Sequence, residues 1–385
     1  MAFFRNTTIN LLNLHYGVHA LALSGGGAFF AVFLLRAGVP APGVLASLAA
    51  ILIGRFFIRP LVLPLGKRFG LKPLVIAGTI LTALQYPLLA EVDGVGWPLF
   101  VLCVTSSIGD TFYWTSYHAY FASLGDSEHR GHQIGAREAI AALVGIAAPL
   151  LTGWALVTLG PRVAFGATAV VLMLSALPLL RTPNVLIPAE APGSLRAALP
   201  GMLMFAADGW TAAGYVFVWQ IALFISLGES FAAFGGAMAV AAVAGAITGL
   251  LLGRVIDAGH GRRAVWLAVG TMAATLLFRA AGYGHPALAV VANAAGAFVN
   301  AFYVPTMMTA VYNQSQASPC TLRFHVATEG GWDAGGAAGC LTAAGLLWAG
   351  APLSTAILIS LLGTTGAFVL LRRYYAPPAA VLQIT

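Results

Sequence analysis

The sequence predicts an all-α integral membrane protein of twelve transmembrane helices in two pseudo-symmetric six-helix halves. Three observations carry that expectation. Of the 385 residues 59% are hydrophobic and 8% charged, too few charges to cover a water-soluble globule of this size, and the mean hydropathy is +0.88. The chain divides into twelve apolar runs, each long enough to cross roughly 30 Å of hydrocarbon as a helix. Short segments in the first half recur in the second at an offset of half the chain.

The predicted spans are 10–34, 43–64, 73–92, 97–122, 134–160, 163–181, 198–227, 231–252, 263–283, 286–313, 324–350 and 352–373. Little chain lies outside them. In the first span Ala20 and Ala22 make an A-x-A pattern, but Asn13, His15 and His19 interrupt the apolar run a secretory signal needs, so it reads as a retained helix. The longest break, RTPNVLIPAEAPGSLR (181–196), is rich in proline. It divides the chain into a first half (1–180), a cytoplasmic linker (181–197) and a second half (198–385) with a short cytoplasmic tail.

With a cytoplasmic N-terminus, fourteen of the nineteen Lys and Arg fall on the cytoplasmic side, Arg36 and Arg162 on the other, and Arg55, Arg59 and Arg279 within spans. That positive-inside bias predicts both termini in the cytoplasm, in a bacterial inner (cell) membrane. It also accounts for a pI near 9.6: the basic excess faces an anionic leaflet, and no nucleic-acid partner is needed to explain it. Cys103 and Cys340 fall in spans and Cys320 in a break, with no C-x-x-C or Cys/His spacing for a metal or a disulfide framework. No cofactor is expected, and a monomer is.

The internal repeat rests on four short matches. DTFYWTS (110–116) pairs with NAFYVPT (300–306) at an offset of 190, setting Asp110 opposite Asn300 and Tyr113 opposite Tyr303. LLRAG (34–38) pairs with FISLG (224–228) at 190, LGKRFGLK (65–72) with DAGHGRR (257–263) at 191 through Gly70 and Gly261, and RGH (130–132) with RFH (323–325) at 193. Two six-helix halves in parallel repeat, meeting around a site near the midplane, is a transporter plan.

These residues resemble the major facilitator superfamily. The break GKRFGLK looks like that family's G-x-x-x-D-R-x-G-R-K signature through Gly66, Arg68, Gly70 and Lys72, and GRVIDAGHGRR (253–263) resembles its second-half counterpart through Gly253, Asp257, Gly261 and Arg262. APLLTG (148–153) is similar to the G-P-x-x-G-G motif of the proton-driven exporters. Lys67 stands where the first signature has its aspartate, and Ala148 and Thr152 replace two of the exporter glycines. The resemblance implies that the first, fourth, seventh and tenth helices line one central chamber.

Charged groups and histidines within a bilayer are costly unless paired or wet, so each marks a candidate site. Asp110, Tyr113, Trp114 and Tyr117 follow i, i+3, i+4, i+7 in the fourth span, which predicts one helical face. Asn300 and Tyr303 repeat that face in the tenth. His19 and Asp208 reach similar depth in the first and seventh. The cavity reading takes all eight as substrate-binding, with Asp110 or Asp208 as the proton site; the alternative is that Asp110 packs against a neighbouring helix and the aromatic face is core. His15, Tyr16 and His118 lie nearer the cytoplasmic end and are given little weight. An acidic, aromatic chamber leans toward a cation or a neutral amphipathic solute.

Arg55 and Arg59 lie at i and i+4 in the second span, and Glu329 and Asp333 at i and i+4 in the eleventh. The resemblance sets those two helices against each other, which would make the four residues a cytoplasmic gate. Each pair could instead be satisfied within its own half. Glycines recur every fourth residue at Gly245, Gly249 and Gly253, and at Gly331, Gly335 and Gly339; Gly145, Pro149 and Gly153 form a third such row. Gly331 and Asp333 are about 200° apart around a helix, so stripe and carboxylates cannot both face the second span.

The function expected is secondary active transport of a small organic solute by alternating access, proton-coupled and exporter-like. A proton-coupled uptake symporter for a sugar or organic acid is the nearest alternative, and a receptor or scaffold with a transporter fold is one from another class. No Walker A sequence, H-E-x-x-H or G-x-S-x-G occurs, so neither ATP hydrolysis nor an intramembrane enzyme is indicated.

Overall fold

The computed structural model describes residues 6–124, 130–188, 190–256 and 261–376, and for 130–142, 249–256, 261 and 300 it describes the backbone alone. Sixteen α-helices follow one another among these: α1 (Thr7–Ser24), α2 (Phe30–Arg36), α3 (Ala41–Ile58), α4 (Val62–Phe69), α5 (Leu71–Ala90), α6 (Trp97–Leu124), α7 (Arg130–Thr158), α8 (Pro161–Ser175), α9 (Ser194–Ala212), α10 (Trp219–Ser226), α11 (Phe231–Ile256), α12 (Gly261–Gly282), α13 (Pro286–Ala317), α14 (Thr321–Trp348), α15 (Leu353–Leu358) and α16 (Ser360–Tyr374). They make up the twelve expected spans. Four spans are interrupted, so α1 with α2, α3 with α4, α9 with α10 and α15 with α16 each cross as one.

The interruptions have local causes. Pro60 tightens the second span into a 3-10 turn at Arg59–Leu61. In the seventh, a π-helical stretch at Ala213–Val218 displaces carbonyls from the regular ladder; the Tyr215 carbonyl accepts from Arg279 Nη1, and the Gly214 N–H donates to Ser360 Oγ at 2.9 Å. Ser360 lies at the break of the twelfth span, where the Ile359 carbonyl accepts from Trp210 Nε1 at 2.9 Å. The two broken helices therefore satisfy each other's free backbone groups.

Nine spans are apolar and long enough to cross a bilayer by composition alone among the described residues. Neither α6 nor α14 is among the nine. Both carry the polar residues of the site, and both have neighbours on several sides. In the Gly331, Gly335, Gly339 stripe of α14, a Cβ added at Gly331 or Gly335 would collide with the Met202 or Ala206 carbonyl of α9, and one at Gly339 with Ala213 just beyond α9. The opposite side of α14 packs on α3. The stripe thus belongs to the second half's interior and the carboxylates to the contact between halves. In the eighth span the close approach to α7 is made by Gly235, which meets the Pro149 carbonyl, and by Gly153 of α7 against Phe231; Gly245 has nothing within 4 Å. Of the expected Gly245, Gly249 and Gly253 row, only the surroundings of Gly245 are described.

Contacts join the two groups of six spans at both ends of the bundle. On the side away from the basic excess, Phe29 and Phe33 meet Phe231 and Phe234 with ring centroids 5.3 to 6.3 Å apart, and Arg36 pairs with Glu229 at 3.6 Å. On the other, Cys320 and Leu322 of the second half pack into a core of first-half residues that includes Leu12, Leu71 and Tyr117.

The linker after Arg181 docks on the first signature loop. Gly70 takes φ 82° there, a conformation open to glycine, and Asn184 lies against it. The Asn184 amide donates to the Phe69 carbonyl at 2.8 Å and accepts from the Lys72 N–H at 3.2 Å, while Lys72 Nζ donates to the Thr182 carbonyl at 2.9 Å.

Candidate substrate and coupling site

Three helices build the centre. From the second span come Arg55 of α3 and, one turn on, Arg59 of the 3-10 turn that follows it; from α14 come His325, Glu329 and Asp333; from α6 come Asp110, Trp114 and His118. Each set recurs every fourth residue, so each projects from one side of its helix. Because α6 and α14 run in opposite directions, Asp110 comes to the Asp333 level and His118 to the His325 level.

Asp333 is fully buried between the two arginines. Its Oδ1 lies 2.9 Å from Arg55 Nε, and its Oδ2 accepts from Arg59 Nε at 3.1 Å and from Arg59 Nη2. Arg55 also reaches Asp110 Oδ2 at 3.8 Å and Glu329 Oε2 at 3.7 Å. Arg59 Nη1 donates to Thr115 Oγ1 of α6. The two arginine and carboxylate pairs expected in the second and eleventh spans therefore meet, and Asp110 belongs to the same network. The acid expected in the cavity and the residues expected at the gate are one cluster in this arrangement.

Trp332 links that cluster to the second acid. Its indole N–H donates to Asp208 Oδ2 at 3.1 Å, and the Arg55 guanidinium lies over its ring, 5.4 Å from the centroid. Tyr303 faces the same Asp208 carboxylate. Asp208 and Tyr303 are both residues the sequence singles out; the tryptophan between them and Arg55 is not.

His118 is the largest departure from expectation. It is partly buried among residues of the other half, with Nδ1 2.9 Å from the Tyr312 hydroxyl and Nε2 3.6 Å from Glu329 Oε1. Its ring stacks on Trp114 at 5.7 Å and on His325 at 5.8 Å, and His325 Nε2 in turn lies 3.0 Å from Ser315 Oγ. The available signal was the spacing: His118 continues the row of Asp110 and Trp114, and His325 that of Glu329 and Asp333.

Tyr113 and Tyr117 turn the other way, toward α1. A column of rings runs from Tyr16 through Tyr117 and Tyr113 to His19, with centroid separations of 5.6, 5.4 and 4.0 Å. Trp114 meets His19 edge-on at 5.8 Å. His15 ties this column down, its Nδ1 2.6 Å from the Ser175 carbonyl and its Nε2 3.1 Å from the Tyr113 hydroxyl. Both ring nitrogens of His19 are buried without a hydrogen-bond partner among the described residues, so His19 retains hydrogen-bonding capacity toward whatever enters beside it.

The remaining expected residues are peripheral or undescribed. Gly66 packs against Leu322, Arg68 lies over the Phe69 ring at 5.1 Å, and Arg262 is exposed at the start of α12. Asp257 lies outside the described residues, as do the surroundings of Gly253 and Gly261 and the side chain of Asn300.

The sequence profile of the Major Facilitator Superfamily matches residues 12–310. This chain belongs to that superfamily. No curated protein sequence is similar enough to match it. Solved structures with the same fold include the human organic anion transporter MFSD10 (TETRAN), at TM-score 0.66 and 16% identity over 95% of this chain and 99% of that one. A variant of the E. coli fucose:proton symporter FucP superposes at TM-score 0.63 and 17% identity, covering 97% and 100%. An auto-inhibited peptide transporter of the POT family does so at TM-score 0.63 and 15% identity, covering 96% and 99%. At these identities the likeness carries the fold. With the family, it makes this superfamily member a multi-pass secondary transporter of a small molecule.

Proposed function

We propose that this transporter moves a small cationic or neutral amphipathic organic solute, coupled to protons and in the exporter sense. The observation that carries the reading is a charge imbalance at the centre: Asp110, Glu329 and Asp333 share two arginines, and Asp208 stands beyond Trp332 with no basic partner among the described residues. An unmatched carboxylate in a low-dielectric interior is stabilised by taking up a proton or a cation. Asp110 and Asp208 are the groups that do so. Trp114, Tyr303 and the free nitrogens of His19 supply the aromatic and polar contacts a solute of this class uses.

Arg55 couples the site to the gate. It divides its charge among Asp110, Glu329 and Asp333, so a proton or cation at Asp110 leaves Arg55 to the α14 carboxylates and changes the strength of the latch. The halves, 1–180 and 198–385, rock about the site while the linker 181–197 stays docked on the loop between α4 and α5. Opening toward the cytoplasm separates Arg55 and Arg59 from Asp333 and His118 from Glu329.

A thermal-stability screen of the purified protein tests this, with organic cations, neutral amphiphiles, sugars and carboxylates at two pH values, beside Asp110→Asn. The expected result is stabilisation by cations or amphiphiles that shifts with pH and is lost in the variant, followed by counterflow of the stabilising compound in proteoliposomes. Stabilisation by sugars or carboxylates alone, unchanged in Asp110→Asn, overturns the reading, and binding without counterflow makes the protein a receptor.

A further inference from the structure

Lys72 and Arg262, in the two signature segments, have different surroundings. In the first, Lys72 is engaged by the Thr182 carbonyl and the loop is held by Asn184. Arg262, in the second-half signature, has no hydrogen-bond or ion-pair partner among the described residues. It lines a cavity of about 290 Å³ between the start of α12 and the end of α16, together with Phe368, Val369, Arg372, Arg373 and Ala376.

Three guanidiniums converge there, and among the described residues none of them forms an ion pair or a hydrogen bond. Two rings continue the cavity along the bundle: Trp266 packs on Phe368 with centroids 4.6 Å apart, and Trp266 is 63% exposed. The order along the membrane normal is therefore charge at the end of the helices, then an aromatic wall one turn further in. That order matches a molecule with an anionic head and an apolar tail lying against the bundle.

We infer that Arg262, Arg372 and Arg373 form a binding site for the headgroup of an anionic phospholipid, whose acyl chain lies along Phe368 and Trp266. Arginine suits phosphate through its planar fork of donors. A basic pocket between transmembrane helices on the leaflet side that carries anionic lipid is a setting in which such headgroups bind. The site ties α12 to α16, helices that pack on each other at the outside of the second half, and it is independent of the solute carried.

The test is lipid retention by native mass spectrometry of the full chain in an uncharged detergent, titrated with dioleoyl-phosphatidylglycerol, with dioleoyl-phosphatidylcholine, or with inorganic phosphate. The site predicts retained phosphatidylglycerol, at least ten-fold weaker retention of phosphatidylcholine, and no displacement by phosphate at equal concentration. The triple variant Arg262→Gln, Arg372→Gln, Arg373→Gln should lose at least ten-fold in phosphatidylglycerol retention, and Phe368→Ala, which keeps all three charges, several-fold. Arg181→Gln with Arg196→Gln removes two exposed basic residues elsewhere and should change nothing. Equal loss in that control shows general charge attraction and overturns the inference. So does equal retention of phosphatidylcholine, or displacement by phosphate alone.

Discussion

The Trp332 indole joins Asp208 to the charged network: its N–H donates to the Asp208 carboxylate at 3.1 Å while Arg55 lies over its ring. Trp332→Phe keeps a ring beneath Arg55 and removes the donor. The buried acceptor left behind should cost about 1–3 kcal/mol, read as a lower unfolding temperature in detergent. Trp332→Ala should lower it further, since the cation–π contact goes too. Equal temperatures for wild type and Trp332→Phe would show that the hydrogen bond contributes nothing.

Asp333 holds two arginines, so removing its charge leaves both without their main partner. Loss of one member of a buried pair typically costs about 3–5 kcal/mol, and a protein that alternates can relieve the cost by opening. Asp333→Arg should therefore favour the arrangement open to the cytoplasm. Cys320 reports it: this thiol is buried at the start of α14 against first-half residues. With Cys103→Ser and Cys340→Ala in the background, alkylation of Cys320 by N-ethylmaleimide should speed up several-fold in Asp333→Arg and fall part of the way back when Arg55→Asp is added. No rescue by the second reversal would count against a direct pairing across the gate.

How much of this was legible in the sequence depends on the kind of contact. Apolar length and breaks gave twelve spans, because hydrocarbon thickness acts on every helix alike. Spacing gave Arg55 with Arg59 and Glu329 with Asp333 as pairs. It did not divide the fourth span correctly. Around a helix, Tyr113 and Tyr117 fall about 60° and 20° to one side of Asp110, Trp114 and His118 about 40° and 80° to the other. A stripe that reads as one face is therefore shared between α1 on one side and α14 on the other. Which neighbour lies on which side is a tertiary fact. Glycine spacing is ambiguous for the same reason: Gly331 and Gly335 meet α9, whereas Gly245, with equal spacing, meets nothing within 4 Å.

His118 reaches across the halves to Tyr312 and Glu329, and its contacts with Trp114 and His325 are ring stacks. His118→Phe keeps the stacks and removes both nitrogens. In the same Cys320 assay it should raise the alkylation rate, by less than Asp333→Arg does, because the arginine latch stays intact. His118→Gln restores a donor and should lie between wild type and His118→Phe. Identical rates in all three would make His118 a packing residue.

The glycine contrast gives a direct test of helix approach. At Gly335 a Cβ would be driven into the Ala206 carbonyl of α9, and at Gly245 it would meet nothing within 4 Å. Gly335→Ala forces two helices apart along a fully packed seam, an overpacking cost of about 1–3 kcal/mol. Gly245→Ala removes backbone freedom from a helix interior and is worth up to about 1 kcal/mol of stabilisation. Thermal unfolding in one detergent should therefore move in opposite directions for the two substitutions. Because the seam of α14 against α9 lies within the second half, Gly335→Ala should also leave Cys320 alkylation at the wild-type rate while the protein is folded. A faster rate would show that the seam itself slides during opening, and the second half would then not move as one body.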